Sequence, residues 1–506
     1  MDLKGLGPPK GYTRTNAPCS GIAQAAIPGQ KKEYTSDWAA DSFLRLALSI
    51  GFIEYDSDKD TCFLSPSGKK YVSHLENKKL LYIDLAYALM SYPPVSRILN
   101  LIDEKGLLTK FELGSELGFI GEAGFTSMSS ELMIDALSIS NQDQKNKIIQ
   151  NSEGTSDKYV RTICGWLKKM KWVKQETKSF KNGEYVVPFS QSYKITLEGK
   201  RWKTISCGGS RHSKISKIVF FDMLATKALD RDVLRLRRYK ILRQLYRGRA
   251  SIVKIKEYLE TEKITASLDT IKDDLQGLKR VGFNIIKSGE EYSLKDELIF
   301  KNVVDVEVVT CDEEVTLAAL KEKLRSYLKS VDHKYLALID LGFSGPRGNR
   351  EYEFVTAELL TKELSFGGKR LGDSRKPDVC VYYNTNGLIL DNKSYKAGFS
   401  LSMPQADEMK RYLEENKKRD PNLNANKWWE IFPDDVKQFN FGFVSGSFVG
   451  GFTSRLENIS LSTGVRGAGI SSASLLVLAE DLKSGSRQYS DCFELFDEND
   501  EIVMDF

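Results

Sequence analysis

The spacing of apolar residues predicts a helix followed by a strand hairpin near the middle of the first half of the chain. In TSDKYVRTICGWLKKMKWV, cap-type residues come first and apolar residues then recur at helical spacing from Tyr159 to Met170. This pattern predicts a helix that ends near Lys171. The segment that follows, WVKQETKSFKNGEYVVPFSQSYKITLEG, has strand-like runs around Asn182-Gly183, a dipeptide typical of hairpin turns. A helix followed by a hairpin is the order of a winged-helix domain.

The same order of elements recurs twice more as a weak internal repeat. In DSFLRLALSIGFIEYDSDKDTCFLSPSGKKY, a helical pattern stops at Gly51, and two strand-like runs flank residues 56–60. In DTIKDDLQGLKRVGFNIIKSGEEYSLKDE, a helical pattern stops at Gly282, and two strand-like runs flank Ser288-Gly289. We therefore expect three winged-helix-like modules in the first three hundred residues. One such module is compatible with DNA binding or with protein contact, because a fold alone does not determine a function.

The pattern changes near residue 312, where Asp312 to Glu314 introduce a long helical pattern. The remainder mixes helical segments such as MPQADEMKRYLEENKKR with apolar, strand-like segments such as FNFGFVSGSFVG. We predict a multidomain protein of α+β and α/β character, with three winged-helix-like modules and one larger domain. The predicted boundaries are 1–75, 76–213, 214–312 and 313–506.

Composition limits the chemistry that is available. A chain of 506 residues with 41% hydrophobic and 28% charged residues indicates several globular domains. The seven cysteines are an odd number without the short paired spacing of a zinc site, which indicates reduced thiols. No signal-like N-terminus or bilayer-length apolar run is present, so we expect a cytoplasmic protein without a membrane partner. Three histidines leave little material for histidine ligands or a Ser-His-Asp triad, so carboxylates and lysines are expected to carry any catalysis.

Positive charge is concentrated in one segment. Residues 145–214 contain sixteen Lys and Arg against five Asp and Glu, a net charge of +11 in a chain whose overall net charge is +5. Such a field suits a polyanionic partner, because neutralised phosphates release condensed counterions. The alternative is a solvated, lysine-rich face. Three helix–hairpin modules in series with this basic segment favour DNA.

The stretch VCVYYNTNGLILDNKSY, together with the Asp that precedes it, predicts a catalytic hairpin. If the chain turns between Asn384 and Gly387, the flanking strands bring Asp378 and Asp391 side by side at the open end. Period-two alternation places Lys393 on the same face as Asp391. Two carboxylates suit Mg²⁺, and the lysine can position or activate an attacking water. The alternative is a surface hairpin with an Asp–Lys ion pair at its base, since the pattern is degenerate.

Longer motifs around this hairpin resemble a known family. GDSRKPDVCVYY, LILDNKSY, QADEMKRYLEENKKRD, NKWWEIFP and FVSGSF resemble the cleavage domain of FokI-type IIS restriction endonucleases, which has the PD-(D/E)XK nuclease fold. The resemblance continues upstream, in order, through RTNAPCSGIAQAAI, SDWAADSFLR, GFIEY, SYPPVSRILNLI, LTKFELGSELGF, GEAGFTS, EGTSDKYVR and DMLAT. It covers nearly the whole chain. Several long motifs that match in the same order identify a family far more specifically than three catalytic residues do.

The resemblance implies catalytic and metal-binding roles for residues of the hairpin. The family's metal-binding acids match Asp378 and Asp391, its catalytic lysine matches Lys393, and Mg²⁺ is the implied cofactor. Asn392 stands at a position where the family varies, so its backbone carbonyl alone is expected to be a ligand.

The resemblance also implies DNA-binding residues in the first two modules: Arg14, Trp38, Gln150 or Asn151, Glu153, Lys158 and Arg161. These residue types suit the task, because Arg and Lys read guanine, Asn or Gln reads adenine, and Glu accepts from cytosine. The alternatives are a core aromatic for Trp38 and a phosphate-facing or solvated helix face for Lys158 and Arg161.

The implied activity is recognition of GGATG with cleavage of both strands at a fixed offset outside it. The chain starts close to Arg14, without the arm that the family carries before this point, so the target preference is expected to be weaker or different. A separately encoded methyltransferase is the implied companion. The competing function is a non-catalytic, sequence-specific DNA-binding protein with a nuclease-like assembly domain, and the intact Asp378, Asp391 and Lys393 favour the enzyme. A repair or homing nuclease is disfavoured by the three modules.

Cleavage of two strands implies a second copy of the cleavage domain, because one site hydrolyses one phosphodiester at a time. We therefore expect a monomer in solution whose cleavage domains dimerise transiently on DNA. In the family, the residues that match Asp407 and Arg411 meet across a two-fold interface. The alternative is an intrahelical ion pair, since the two residues are spaced i to i+4.

Overall fold

The computed structural model describes residues 46–56, 61–130, 133–134, 137, 149, 153–182, 185–209, 214–301, 312–346, 348–372 and 375–506. Helices and strands alternate along this part of the chain, so the predicted mixture of helix and sheet is confirmed. Every helix in it is too short or too polar to cross a membrane.

The part up to residue 209 packs helices against two small antiparallel sheets. After helical residues 46–49, strands β1 (Ile53–Asp56) and β2 (Thr61–Leu64) form a hairpin. The second sheet has the order β3-β5-β4, with strands β3 (Leu108–Thr109), β4 (Val173–Asn182) and β5 (Tyr185–Ile195). The helices are α1 (Pro66–Ser73), α2 (Lys78–Met90), α3 (Pro93–Lys105), α4 (Lys110–Ser115), α5 (Thr155–Lys169) and α6 (Leu197–Cys207).

Helix α5 and the β4–β5 hairpin have the helix–hairpin order that the sequence predicted. The helix ends at Lys169, two residues earlier than expected, because Met170 caps it and Lys171 adopts a left-handed φ of 62°. A single apolar cluster, which includes Leu167 and Trp172, joins this unit to α2 and α3. Packing against neighbours therefore holds α5 in place and leaves one face of the helix exposed.

Residues 214–301 form a further helix–hairpin unit with its own core, which includes Ile241 and Leu275. Helix and hairpin meet at Gly282, as predicted. The helices are α7 (Arg231–Arg247), α8 (Ile252–Thr261) and α9 (Leu268–Val281). The strands are β6 (Lys217–Phe220), β7 (Ala250–Ser251), β8 (Ile285–Ser288), β9 (Glu291–Leu294) and β10 (Leu298–Lys301).

Residues 312–506 surround one mixed six-stranded sheet. Its strands, in spatial order, are β11 (Gly367–Arg370), β12 (Val379–Tyr383), β13 (Asn386–Lys393), β14 (Gln438–Ser445), β15 (Gly467–Ser471) and β16 (Glu501–Ile502). The first three strands pair antiparallel, and β13 to β16 pair parallel. The helices are α10 (Asp312–Tyr327), α11 (Ala337–Gly342), α12 (Asn349–Glu358), α13 (Met403–Lys418), α14 (Phe452–Thr463), α15 (Ser472–Ser484) and α16 (Asp491–Leu495).

Alternation along the strands sends apolar side chains to a core on each face of this sheet. Val379 and Val381 lie in the cluster that includes α15, whereas Cys380 and Ile389 lie in the cluster that includes α13. Because both faces are covered, the central parts of β12 and β13 are apolar. Polar residues at the open end of the β12–β13 hairpin therefore stand out as candidates for function.

Candidate active site and nucleic-acid interface

A two-residue turn connects β12 to β13 and sets the register of the hairpin. Tyr383 pairs with Asn386, so the turn consists of Asn384 and Thr385. Asn384 has a left-handed φ of 52°, which asparagine tolerates better than most residues. Asn386 and Gly387 therefore begin β13, and the turn is shorter than the predicted segment from Asn384 to Gly387.

The predicted catalytic residues meet at the open end of this hairpin. The strand register brings Asp378 level with Asp391, and Asp378 Oδ2 accepts a hydrogen bond of 2.8 Å from the backbone N–H of Asn392. The ammonium of Lys393 lies 2.5 Å from Asp391 Oδ2. We call Asp378, Asp391 and Lys393 the catalytic cluster.

The catalytic cluster holds more negative than positive charge in a buried place. Burial, together with the nearby carboxylates of Asp391 and Glu353, raises the pKa of Asp378 well above its usual range. Burial favours the neutral amine of Lys393, but the carboxylates of Asp391 and Asp378 outweigh it and raise the pKa of that lysine. Lys393 therefore keeps its proton, and the two carboxylates repel each other.

The donor set fits a Mg²⁺ ion. Two oxygen ligands from carboxylates, with water and phosphate oxygens at the other positions, are the usual protein environment of this ion. The repulsion between Asp378 and Asp391 would be relieved by a cation between them. In the part of the chain that the structure describes, His, Cys, Asp and Glu form no group of three or more that could hold a metal ion. Water, backbone or substrate oxygens would thus complete the coordination.

Helix α12 contributes residues that the sequence did not identify. Glu353 raises the pKa of Asp378 and pairs with Arg370 of β11, with an Nη2–Oε2 distance of 2.6 Å. Thr356 Oγ1 accepts a hydrogen bond of 2.8 Å from the side-chain amide of Asn392. The segment EFVTAELL has the ordinary pattern of an amphipathic helix. The presence of the acidic Glu353 before the strands was therefore the only feature of the sequence that could have indicated a role at this site.

Helix α13 carries Asp407 and Arg411, the predicted dimerisation residues. The side chain of Asp407 is 64% exposed, and its carboxylate lies 3.8 Å from the ammonium of Lys410. The guanidinium of Arg411 lies 3.3 Å from the carboxylate of Glu408 and 3.7 Å from that of Glu415. The intrahelical Asp407–Arg411 pair is absent from the ion pairs of the described residues.

The predicted DNA-binding residues at α5 are already linked by charge. The guanidinium of Arg161 donates to both oxygens of Glu153, from Nε at 2.8 Å and from Nη2 at 3.2 Å. Lys110 of α4, which the sequence did not identify, places its ammonium 2.9 Å from Glu153 Oε1. Lys158 lies on the same exposed face of α5 as Arg161. We call Lys110, Glu153 and Arg161 the recognition cluster.

A buried aspartate anchors the start of α5. Asp157 accepts hydrogen bonds from the backbone N–H of Gly154 at 2.8 Å and from the hydroxyl of Ser127 at 2.6 Å. Burial raises the pKa of Asp157 to about 7, although both hydrogen bonds act in the opposite direction. The capping interaction therefore holds the segment that carries Glu153 against the rest of the domain.

Arg14, Trp38, Gln150 and Asn151 lie outside the described residues. Their DNA contacts stay predictions. The described part of the predicted interface is therefore the face of α5 with Glu153.

A basic helix–hairpin region joined to a mixed-sheet domain with an Asp-Asp-Lys cluster defines a nuclease with separate recognition and cleavage domains. Family profiles match the chain in this order: "FokI, recognition domain, subdomain 1" at residues 1–74, "FokI, recognition domain, subdomain 2" at 84–210, "FokI, D3 domain" at 224–290 and "FokI, cleavage domain" at 314–503. The chain belongs to the FokI family of type II restriction enzymes.

Individual relatives agree with this assignment. The chain is 37% identical to the type II restriction enzyme FokI of Planomicrobium okeanokoites, over 94% of this chain and 84% of the relative. It is 30% identical to the type II restriction enzyme StsI of Streptococcus sanguinis, over 93% and 81% of the two chains. Solved structures of restriction endonuclease FokI match alone (TM-score 0.88, 35% identity) and bound to DNA (TM-score 0.89, 36% identity), each over 99% of this chain and 89% of the other. The predicted restriction endonuclease, with recognition domains before a cleavage domain, is confirmed.

Proposed function

We propose that this restriction enzyme binds a short asymmetric DNA site and hydrolyses both strands at a fixed distance outside it, with Mg²⁺ as its cofactor. The observation that carries the proposal is the catalytic cluster, which gathers Asp378, Asp391 and Lys393 at the end of a hairpin. That hairpin belongs to a different domain from the exposed face of α5. Because the reading and cutting residues belong to different domains, the bases that are read need not be the bases that are cut.

The catalytic cluster suits hydrolysis of a phosphodiester. In that reaction a water oxygen bonds to phosphorus and one P–O ester bond breaks, which leaves a phosphate monoester and a free hydroxyl. Asp378 and Asp391 would hold a divalent cation, which would neutralise charge at the phosphate and lower the pKa of a water molecule when bound. The ammonium of Lys393, which pairs with Asp391, can orient the attacking water and stabilise negative charge at the phosphate. The proton of the water passes to the solvent.

Double-stranded DNA is the proposed partner of the recognition domains. The basic segment 145–214 would supply contacts to phosphates, while Glu153, Lys158 and Arg161 would read bases in the major groove. The DNA-bound FokI structure, which is similar over nearly all of this chain, supports this proposal. We propose GGATG as the target on the basis of the family resemblance.

Two cleavage domains are needed for a double-strand break. We propose that the enzyme is a monomer in solution and that its cleavage domains dimerise transiently on DNA. Asp407 and Arg411 would each meet the opposite residue of the second copy. The exposed position of Asp407 supports this role. We also propose that the enzyme acts in the cytoplasm beside a separately encoded methyltransferase.

Cut-end mapping on a plasmid library tests the proposal. With Mg²⁺, we expect both strands to be cut at a constant offset from one short motif, and EDTA should abolish cutting. Protein with Asp378→Ala serves as the control for contaminating nucleases. Cuts inside the bound motif, at variable offsets, or at equal rates in EDTA would contradict the proposal.

A further inference from the structure

Lys110 is the buried lysine of the recognition cluster. Its side chain is 4% exposed, and its ammonium lies 2.9 Å from Glu153 Oε1 and 4.9 Å from the centre of the Phe111 ring. A buried ammonium needs a close counter-charge, since desolvation otherwise favours the neutral amine. Lys110 is therefore confined to a position from which it contacts Glu153 and is shielded from DNA phosphates.

The carboxylate of Glu153 pairs with two cations, of which one is buried and the other exposed. Oε1 accepts from both Lys110 and Nε of Arg161, and Oε2 accepts from Nη2 of Arg161. Lys110 is buried, whereas the side chain of Arg161 is 48% exposed and can reach outward. Burial acts to raise the pKa of Glu153, but Lys110 and Arg161 together lower it. If Arg161 turns toward a base, Lys110 still compensates the charge of Glu153.

We infer that Lys110 is a specificity-determining residue that acts through Glu153. Lys110 fixes the carboxylate of Glu153 and balances its charge, so Arg161 can leave that carboxylate and contact a base. The inference rests on the proposed base contacts of Glu153 and Arg161. Without Lys110, Arg161 is left as the cation of the recognition cluster. The Arg161–Glu153 pair then tightens, and both side chains are withheld from the bases.

The main test is Lys110→Met in the full-length protein, with base preference measured by selection from randomised duplexes. Methionine has a similar length and retains packing on Phe111. We expect preference to fall by on the order of tenfold, at the same base pairs that Glu153→Gln and Arg161→Ala affect. The dependence of affinity on salt should stay at the wild-type slope, because a buried lysine releases no counterions from DNA.

Lys334→Met is a control for the loss of a similarly paired lysine. The ammonium of Lys334 lies 2.7 Å from Glu358 Oε1 and 4.8 Å from the centre of the Tyr335 ring, so it makes the same two kinds of contact as Lys110. Both Lys334 and the carboxylate that it contacts lie outside the recognition domains. Its base preference should equal that of the wild type, and an equal loss in both lysine variants would overturn the inference.

The double variant Lys110→Met/Glu153→Gln tests whether Lys110 acts through Glu153, and it also avoids an uncompensated buried charge if Lys110→Met alone unfolds. We expect it to have the same preference as Glu153→Gln. A further loss of base preference in the double variant would overturn the inference. So would wild-type base preference in a folded Lys110→Met variant when Glu153→Gln alters that preference. Unchanged preference in both Glu153→Gln and Arg161→Ala would instead refute the proposed base contacts, and the inference with them.

Discussion

The catalytic and recognition clusters combine the same kinds of charge in opposite proportions. The catalytic cluster places two carboxylates beside one ammonium, and the pKa of Asp378 is raised as a result of burial and repulsion. The recognition cluster places one carboxylate between two cations, and these outweigh burial to lower the pKa of Glu153. The catalytic cluster therefore has an excess of negative charge, whereas the recognition cluster has an excess of positive charge.

This difference indicates how each cluster meets its ligand. A site with excess negative charge is completed by a cation, which suits metal-assisted hydrolysis. A site with excess positive charge can turn one cation toward an anionic or electron-rich partner while its carboxylate remains paired. The sign of the imbalance therefore matches the proposed role of each cluster, and the following variants test it.

The largest expected effect is on cleavage. Asp378→Ala, Asp391→Ala and Lys393→Ala should each lower the cleavage rate by on the order of a thousandfold or more, because loss of metal binding or charge stabilisation costs several kcal/mol. Duplex affinity should stay near wild type, since α5 belongs to another domain. Plasmid cleavage and gel-shift assays measure the two quantities. Asp434→Ala, at a fully exposed carboxylate, is the control. A cluster variant that cuts at the wild-type rate would refute the assignment.

A smaller but clear effect is expected at α13. Asp407→Arg or Arg411→Asp alone should reduce double-strand cleavage by at least about tenfold, because like charges meet across the proposed interface. An equimolar mixture of the two variants should recover it. The ratio of linear to nicked plasmid measures the outcome. Normal double-strand cutting by each single variant, or an inactive mixture of variants that still bind DNA, would leave these residues as surface charges.

At the recognition cluster, Glu153→Ala and Arg161→Ala should relax base preference by about 1 to 3 kcal/mol for each lost base contact. The measurement is a competition between cognate and single-substitution duplexes. Lys169→Ala, at an exposed position near the end of α5, is the matched control and should leave the order of preference unchanged. If the two variants rank the duplexes in the same order as the wild type, Glu153 and Arg161 do not read bases and belong to a solvated helix face.

The smallest effects concern stability and have opposite signs. Without metal, Asp378→Asn should stabilise the protein by about 0.5 to 2 kcal/mol, because it removes the repulsion between the carboxylates of Asp378 and Asp391. Glu153→Gln should destabilise it by about 1 kcal/mol, because it weakens the compensation of buried Lys110. Thermal unfolding in EDTA measures both. Changes of the same sign would show that the charge imbalance does not distinguish the two clusters.

The pH dependence follows from the raised pKa of Asp378. A raised pKa means that the folded state binds the proton more tightly than the unfolded state. The contribution of Asp378 is therefore fully present below its unfolded pKa of about 4 and is lost as the pH rises through the folded pKa. The stability advantage of Asp378→Asn in EDTA should grow with pH over this window, and Mg²⁺ should reduce it. A constant difference would contradict the assigned repulsion.

Local patterns in the sequence determined much of the fold and the main features of the catalytic cluster. The helix that became α5, the strands of the three hairpins and the approach of Asp378 to Asp391 follow from periodicity and turn chemistry. These features involve residues close in the chain, so few arrangements compete. Even so, the segment NTN offered two asparagines for the turn. Pairing of Tyr383 with Asn386 decided between them.

The tertiary structure alone decided which distant side chains complete each cluster. Lys110 and Glu153 are 43 residues apart in sequence, and their contact depends on how α4 packs against the start of α5. Glu353 approaches Asp378 because α12 lies beside the sheet. Long charged side chains can reach many partners, and their spacing in the sequence does not select one. Packing of the surrounding apolar cores fixes the helix positions, and these determine which opposite charges meet.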